Sequence, residues 1–182
     1  DNPIRRKFIQ QPDKLAERLH LEPGMKVIEI GPGKGNYTKA IAKQILPEGV
    51  VYAVDIQEWV INELEDRIKE ENIQNIIPKI DDAYSLSFGD ETIDRFFLNT
   101  CLPEIPDPIK ALKEFNRVLK DDGIISLCEF FFDPDYPLRR TEKKWAQEAD
   151  LKLIDQYGNW FTYQLNFGKN QELNNKRIFK SE

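Results

Sequence analysis

The chain has 182 residues, of which 40% are hydrophobic and 32% charged, with a formal net charge of −6. That length suits one globular domain, residues 1–182, with a sizeable core. The acidic balance disfavours a general nucleic-acid binder, because neutralising phosphates needs a basic face.

No apolar run approaches a membrane span, and the opening residues lack the apolar segment of a signal peptide. The expected partners therefore include no nucleic acid and no membrane. Cys101 and Cys128, both in apolar surroundings, read as reduced thiols of a cytoplasmic protein. With one histidine and two distant cysteines there is no zinc spacing, and no metal is expected. His20 follows a short amphipathic helix and reads as a surface or capping residue.

In chain order, Val27–Ile30 is a short apolar strand and "YTKAIAKQIL" carries helical periodicity. "GVVYAVDI" is a second strand and "EWVINELEDRIKEEN" a charge-laced amphipathic helix. "NIIPKI" is a third strand, with Pro78 suggesting an edge position. "TIDRFFLN" is a fourth, followed by a helix over Asp107–Lys120 with Pro108 in its first turn. "GIISLCEF" is a fifth strand, opened by a turn at Asp121–Gly123. A helix at Thr141–Ala149 precedes two strand-like runs, "LKLIDQYG" and "WFTYQLNFGK", joined at Gly158-Asn159, a hairpin signal. Residues 169–182 form a polar tail that should fray. Strands alternating with helices imply an α/β doubly wound sheet, mostly parallel, with helices on both faces.

"VIEIGPGKGNYT" places three of the nine glycines within five residues, where the first strand meets the first long helix. Such a turn brings main-chain N–H groups close to a ligand. The spacing is G-x-G-x-G at Gly31, Gly33 and Gly35, neither the dinucleotide fingerprint nor a phosphate loop. Glu29, two residues before the first glycine, would repel a pyrophosphate and suits a cationic amine. Asp55, 20 residues after Gly35, ends the second strand where an acid can take both hydroxyls of a ribose. Asp82 follows the third strand, where a carboxylate can accept from an adenine amino group. Three strand ends thus each offer what one part of the same ligand needs.

With these motifs the sequence resembles the class I S-adenosylmethionine-dependent methyltransferases, and is similar to the small-molecule ubiquinone/menaquinone biosynthesis type. The resemblance runs from about Leu15 to Phe130 and more loosely to Phe167. "VIEIGPGKG", "VYAVDI", "DDAYSLSFGDETIDRFFLN" and "PDPIKALKEFNRVLKDDGIISL" carry it. It implies a Rossmann-like sheet of seven strands with a C-terminal antiparallel hairpin strand, and S-adenosylmethionine as cofactor. By position, Glu29, Gly31, Gly33, Gly35 and Tyr37 belong to the cofactor site. Asp55 and Ile56 would hold the ribose, Asp82 and Ala83 the adenine, and Leu98 or Asn99 the methionine amine.

A sulfonium is already a good electrophile, so proximity supplies much of the acceleration, and a base is needed only for a protonated acceptor. Tyr37, Tyr84, Glu104 and Glu129 lie just past strand ends; Glu104 and Tyr84 are the catalytic candidates. Relatives often carry histidine at or near the place where this chain has Glu104. No Asn/Asp-Pro-Pro-Tyr follows the fourth strand, which disfavours amide or base-nitrogen methylation. The acceptor is expected to be a small molecule or a short protein segment. Residues 1–20 read as a segment and helix that border the pocket as a lid. Arg5-Arg6-Lys7 and Arg139-Arg140 with Lys143-Lys144 suit an anionic acceptor, and equally a solvated surface. Two rival readings stay open: a non-catalytic subunit that binds S-adenosylmethionine for a partner, and a nicotinamide-dependent oxidoreductase.

Overall fold

The computed structural model describes residues 9–132 and 135–170; Arg5-Arg6-Lys7 and the tail from residue 171 lie outside the described residues. Seven strands form one sheet in the order β3-β2-β1-β4-β5-β7-β6. They are β1 (Lys26–Ile30), β2 (Val50–Asp55), β3 (Ile76–Ile80), β4 (Ile93–Asn99), β5 (Leu119–Phe130), β6 (Leu151–Gly158) and β7 (Thr162–Lys169). The first five pair in parallel, and β7 pairs antiparallel with both β5 and β6. Both expectations for the sheet hold: it is mostly parallel with a C-terminal antiparallel strand, and Pro78 sits on an edge strand.

The helices are α1 (Pro12–Glu17), α2 (Asn36–Gln44), α3 (Glu58–Glu70), α4 (Pro108–Val118) and α5 (Arg139–Glu148), with a 3-10 turn at Leu102–Glu104. Alternate residues of each central strand feed two cores. Val27, Phe97 and Cys128 pack with Leu15, Ile41, Ile45 and Leu64 from α1, α2 and α3 and their flanks. Ile28, Phe96 and Leu127 pack with Leu112, Phe115 and Ala146 from α4 and α5. Each fully buried aliphatic or aromatic side chain of this kind contributes about 1.5–3 kcal/mol.

Four boundaries differ most from the sequence expectation. The helix expected to reach Lys120 stops at Val118, and β5 begins at Leu119 rather than after the Asp121–Gly123 turn. Leu119 already pairs with Ile93, and the acidic turn is absorbed as a bulge before Arg95 pairs with Ile124. The helix expected from Thr141 starts at Arg139. The last strand, expected from Trp160, starts at Thr162. Asn159 Oδ1 accepts from the N–H groups of Phe161 and Thr162 at 2.9 and 3.3 Å, which holds Trp160 and Phe161 in the turn.

α1 is fixed by polar groups as well as by Leu15. Gln164 Nε2 donates to Leu15 O at 3.1 Å and Asn166 Nδ2 to Arg18 O at 2.6 Å. Arg95 Nε donates to Leu19 O at 2.9 Å. His20 is exposed and contacts Asp155 Oδ2 at 2.8 Å, in keeping with a surface histidine.

Candidate active site

The parallel strands all end on one side, and the loops leaving β1, β2, β3, β4 and β5 surround a cleft of about 730 Å³ there. This is where an open α/β sheet binds its ligand, at the point where strand order reverses. Here β1 lies between β2 and β4.

The glycine turn forms the floor. Gly31 N donates to Val54 O at 2.9 Å, and its φ of +70° lies in the left-handed region. A Cβ on Gly31 would stand 2.7 Å from Cys101 Sγ, so both conformation and space demand glycine. Gly35 caps the start of α2 at φ +73°, where a Cβ would stand 2.5 Å from Leu64 Cδ1. Gly33 faces open space in the cleft.

The acids stand at the next two strand ends. Asp55 Oδ1 accepts from Gln57 N at 2.9 Å, and burial raises its carboxyl against that bond. Asp82 Oδ1 accepts from Tyr84 N at 2.8 Å. Asp81 Oδ2 accepts from Ser87 N and from Ser87 Oγ at 2.9 and 2.5 Å, which closes the loop after β3. Tyr84 OH accepts from Asp107 N at 2.8 Å, joining that loop to the start of α4, with Lys110 Nζ 4.6 Å from the ring centre. Ile56 and Ala83 line the cleft beside these acids.

Past β4 the backbone is strained. Thr100 has a φ of +50°, a conformation costing about 1–3 kcal/mol for a side chain of this kind. Its N–H is held by Cys128 O at 2.8 Å. Asn99 lines the cleft, and its Oδ1 is buried without a hydrogen-bond partner. Cys101 lines the cleft too, but burial, with Glu104 and Asp55 nearby, pushes its thiol up and keeps it protonated. Glu104 ends the 3-10 turn as an exposed acid on the same wall.

Of the residues picked out in the sequence, Gly31, Gly33, Tyr37, Asp55, Ile56, Asp82, Ala83, Asn99, Tyr84 and Glu104 line this one cleft. Glu29, Gly35 and Leu98 do not. Glu29 lies buried behind the turn, where burial raises its carboxyl to about 8 against the effect of Thr38. Leu98 is buried in the core on the α4 and α5 side. Arg139, Arg140, Lys143 and Lys144 also lie outside the lining.

The structure adds Trp59, Phe130 and Glu142, which the sequence reading passed over. Trp59 forms part of the rim, 65% exposed, and Phe130 and Phe132 supply an aromatic wall with ring centres 5.6 Å apart. Beneath that wall, Glu129 on β5 and Glu142 on α5 are both buried beside Tyr163 on β7. Burial raises the Glu142 carboxyl, while the neighbouring Tyr163 and Glu129 act against it. Tyr163 OH donates to Pro137 O at 2.9 Å. Glu142 had a signal in the sequence, since it stands four residues before Ala146 on the apolar stripe of α5.

The donor set suits a nucleoside carrying a cationic amino-acid end. Two carboxylates face the cleft at adjoining strand ends, an orphaned amide oxygen sits at the next, and the glycine turn admits a close approach. Among the described residues no group of histidine, cysteine or acidic side chains could hold a metal ion.

Residues 21–179 match the model of the methyltransferase domain family. The chain is 29% identical over 124 residues to a demethylmenaquinone methyltransferase of Geobacillus stearothermophilus, covering 68% of this chain and 53% of that protein. It is 34% identical over 114 residues to the ubiquinone/menaquinone biosynthesis C-methyltransferase UbiE of Bordetella avium, covering 62% of this chain and 44% of that one. The chain thus spans about half the length of the curated relatives it matches. A SAM-dependent methyltransferase from Aquifex aeolicus superposes with a TM-score of 0.84 at 21% identity, covering 92% of this chain and 93% of the other. The chain belongs to the methyltransferase domain family.

Proposed function

We propose that this protein methylates a small acceptor with a planar, electron-rich ring, of the quinol or phenol kind, seated between Glu104 and the Phe130–Phe132 wall. The observation that carries the reading is one cleft with two unlike sides, acids and a glycine turn on one and aromatic rings on the other. Relatives named for demethylmenaquinone support the class of acceptor.

When bound, S-adenosylmethionine supplies a methyl group on a sulfonium sulfur, ready for in-line attack. The chain's own residues bind and orient. Asp55 would take the ribose hydroxyls, with Ile56 against the sugar. Asp82 and Ala83 would take the adenine. Gly31 and Gly33 give the methionine end room, with main-chain oxygen at Leu98 or Asn99 for its amine. Glu29, buried behind the turn, acts on that end only by shaping the floor from behind. Tyr84, whose hydroxyl is held by Asp107 N, positions the loop that carries Asp82. Glu104 is placed to accept the proton that a hydroxyl-bearing acceptor must lose. The aromatic wall excludes water and stacks the acceptor ring.

The test is incubation with methyl-labelled S-adenosylmethionine and a demethylated naphthoquinol. A labelled, methylated ring is expected. No labelled quinol or phenol, alongside a labelled product of another class from cell extract, would overturn the acceptor assignment. Cofactor binding without any labelled product would favour a non-catalytic subunit.

A further inference from the structure

Beside the mouth of the cleft, two loops leave apolar side chains in water. Phe131, Phe132, Leu138 and Trp160 are 46%, 71%, 53% and 70% exposed. They belong to a constructed surface. Phe131 meets Trp160 and Tyr136 edge-on at 5.3 and 5.6 Å between ring centres, and Phe132 meets Phe161 at 5.3 Å. Tyr136 OH donates to Trp160 O at 2.6 Å, which ties the loop after β5 to the β6–β7 turn. The rings are braced against each other while their outer faces stay in solvent. A contiguous apolar patch of this kind marks an interaction surface.

Charge selects its occupant. The whole chain carries −6, yet α5 starts directly after Leu138 with Arg139, Arg140, Lys143 and Lys144. The Arg139 guanidinium donates to Asn159 O in the β6–β7 turn, and Lys143 Nζ donates to Gln156 Oε1 at 2.8 Å. Both hold neutral oxygens. Lys144 has an exposed, 3.8 Å pair with Glu148, and Arg140 is exposed with no ion pair among the described residues. Against these four cations the sequence sets three acids, Asp133 and Asp135 before the helix and Glu148 at its end. Glu142, the acid of the first turn of α5, is buried out of the surface. A symmetric contact with a second copy would bring the same cationic border against itself. Tryptophan, phenylalanine and leucine rimmed by arginine and lysine instead suit an interface of acyl chains below and anionic headgroups above.

We propose that this aromatic and basic patch docks the protein on an anionic bilayer surface, with the cleft mouth at Phe132 turned toward the lipid. Surface docking needs no spanning helix, and no helix of the described residues is long and apolar enough to cross a membrane. An acceptor dissolved in the bilayer then has a short path to the cleft.

The test is sedimentation of the full chain with phosphatidylcholine vesicles, alone or with about one-third phosphatidylglycerol. Anionic vesicles should bind it at least ~10-fold more tightly, with the preference falling at high salt. Each cation near such a surface is worth roughly fivefold, so Arg140→Glu with Lys144→Glu should weaken binding by about 25-fold or more. Leu138→Ser with Trp160→Ser should weaken it by ~10-fold or more. Both double variants should keep the wild-type circular dichroism and thermal shift with S-adenosylmethionine. That control separates a failure of docking from a failure of the methyl-transfer reading. Equal binding to neutral and anionic vesicles, or full binding by either variant, overturns the proposal. A concentration-dependent dimer that Leu138→Ser with Trp160→Ser abolishes, without vesicles, assigns the patch to a second copy and overturns it too.

Discussion

The two sides of the cleft are built on different principles. On the β1–β3 side every group lies within a few residues of its strand end and is tied locally. Asp55 accepts from Gln57, Asp82 from Tyr84, and Asp81 from Ser87. On the β5 side the wall is Phe130 and Phe132, braced edge-on by Phe161, about thirty residues further along the chain. Short hydrogen-bonded loops fix polar atoms to a few tenths of an ångström, as a constant ligand requires. Edge-on aromatic packing tolerates small shifts, as a variable or apolar ligand requires.

Substitutions on each side can break that contrast. The largest effect is expected from Gly31→Val on the locally tied side. A side chain there meets Cys101 Sγ and must hold φ +70°, so cofactor binding should vanish in calorimetry and the melting temperature should fall. Normal binding would mean that the turn adapts, and the rigidity assigned to it would be wrong.

Next is Glu104→Gln, which keeps size but cannot take a proton. Turnover on the identified acceptor should drop ~10²-fold or more with cofactor affinity nearly unchanged. A change confined to KM would make Glu104 a binding group. Asp55→Ala should then weaken S-adenosylmethionine by tens-fold or more, through loss of charge-assisted bonds worth ~1.5–3 kcal/mol each. Equal affinity in a titration would move the ribose elsewhere.

The smallest effect concerns the buried acids, one behind each side, Glu29 and Glu142. Burial raises both carboxyls, Glu29 from 4.5 to about 8. Below pH 4.5 folded and unfolded chains both hold these protons. Between pH 4.5 and 8 the unfolded chain releases them first, so stability falls as pH rises. The melting temperature should drop by several degrees between pH 5 and 8. Glu29→Gln and Glu142→Gln should each flatten part of that slope; an unchanged slope in both would place the linkage in other groups.

How far the sequence could be read follows the same division. Gly31, Asp55 and Asp82 were legible as cleft residues because each sits at a fixed offset from an apolar strand. The parallel pairing of the first five strands and the edge position of β3 followed from alternation and from Pro78, while the strand order came only with the structure. Phe132 and Phe161 were not legible as a pair, because their proximity depends on β7 inserting between β5 and β6. The start of β5 was missed for a similar reason. Asp-Asp-Gly reads locally as a turn, but Leu119 is already held by Ile93 across the sheet. Glu29 was legible as an acid near a ligand, yet its full burial depends on packing beneath α2.

The bonds from β7 to the N-terminal helix set an order of assembly. Leu15 and Gln164 stand 149 positions apart, and Arg18 and Asn166 stand 148 apart. During synthesis α1 emerges before the sheet, and two of its polar anchors belong to β7, while a third, Arg95, belongs to β4. A nascent chain that has reached β5 already holds the glycine turn and the acids. It also holds Glu129 on β5, whose carbonyl receives Gln10 Nε2 at 3.2 Å, and so the segment whose Gln10 carbonyl receives the Tyr37 hydroxyl. It still lacks the two β7 amides. Such distant closure is slow to nucleate, because loop entropy is lost before the contact forms. Emergence of β7 therefore adds the last two ties to the N-terminal helix and its flank.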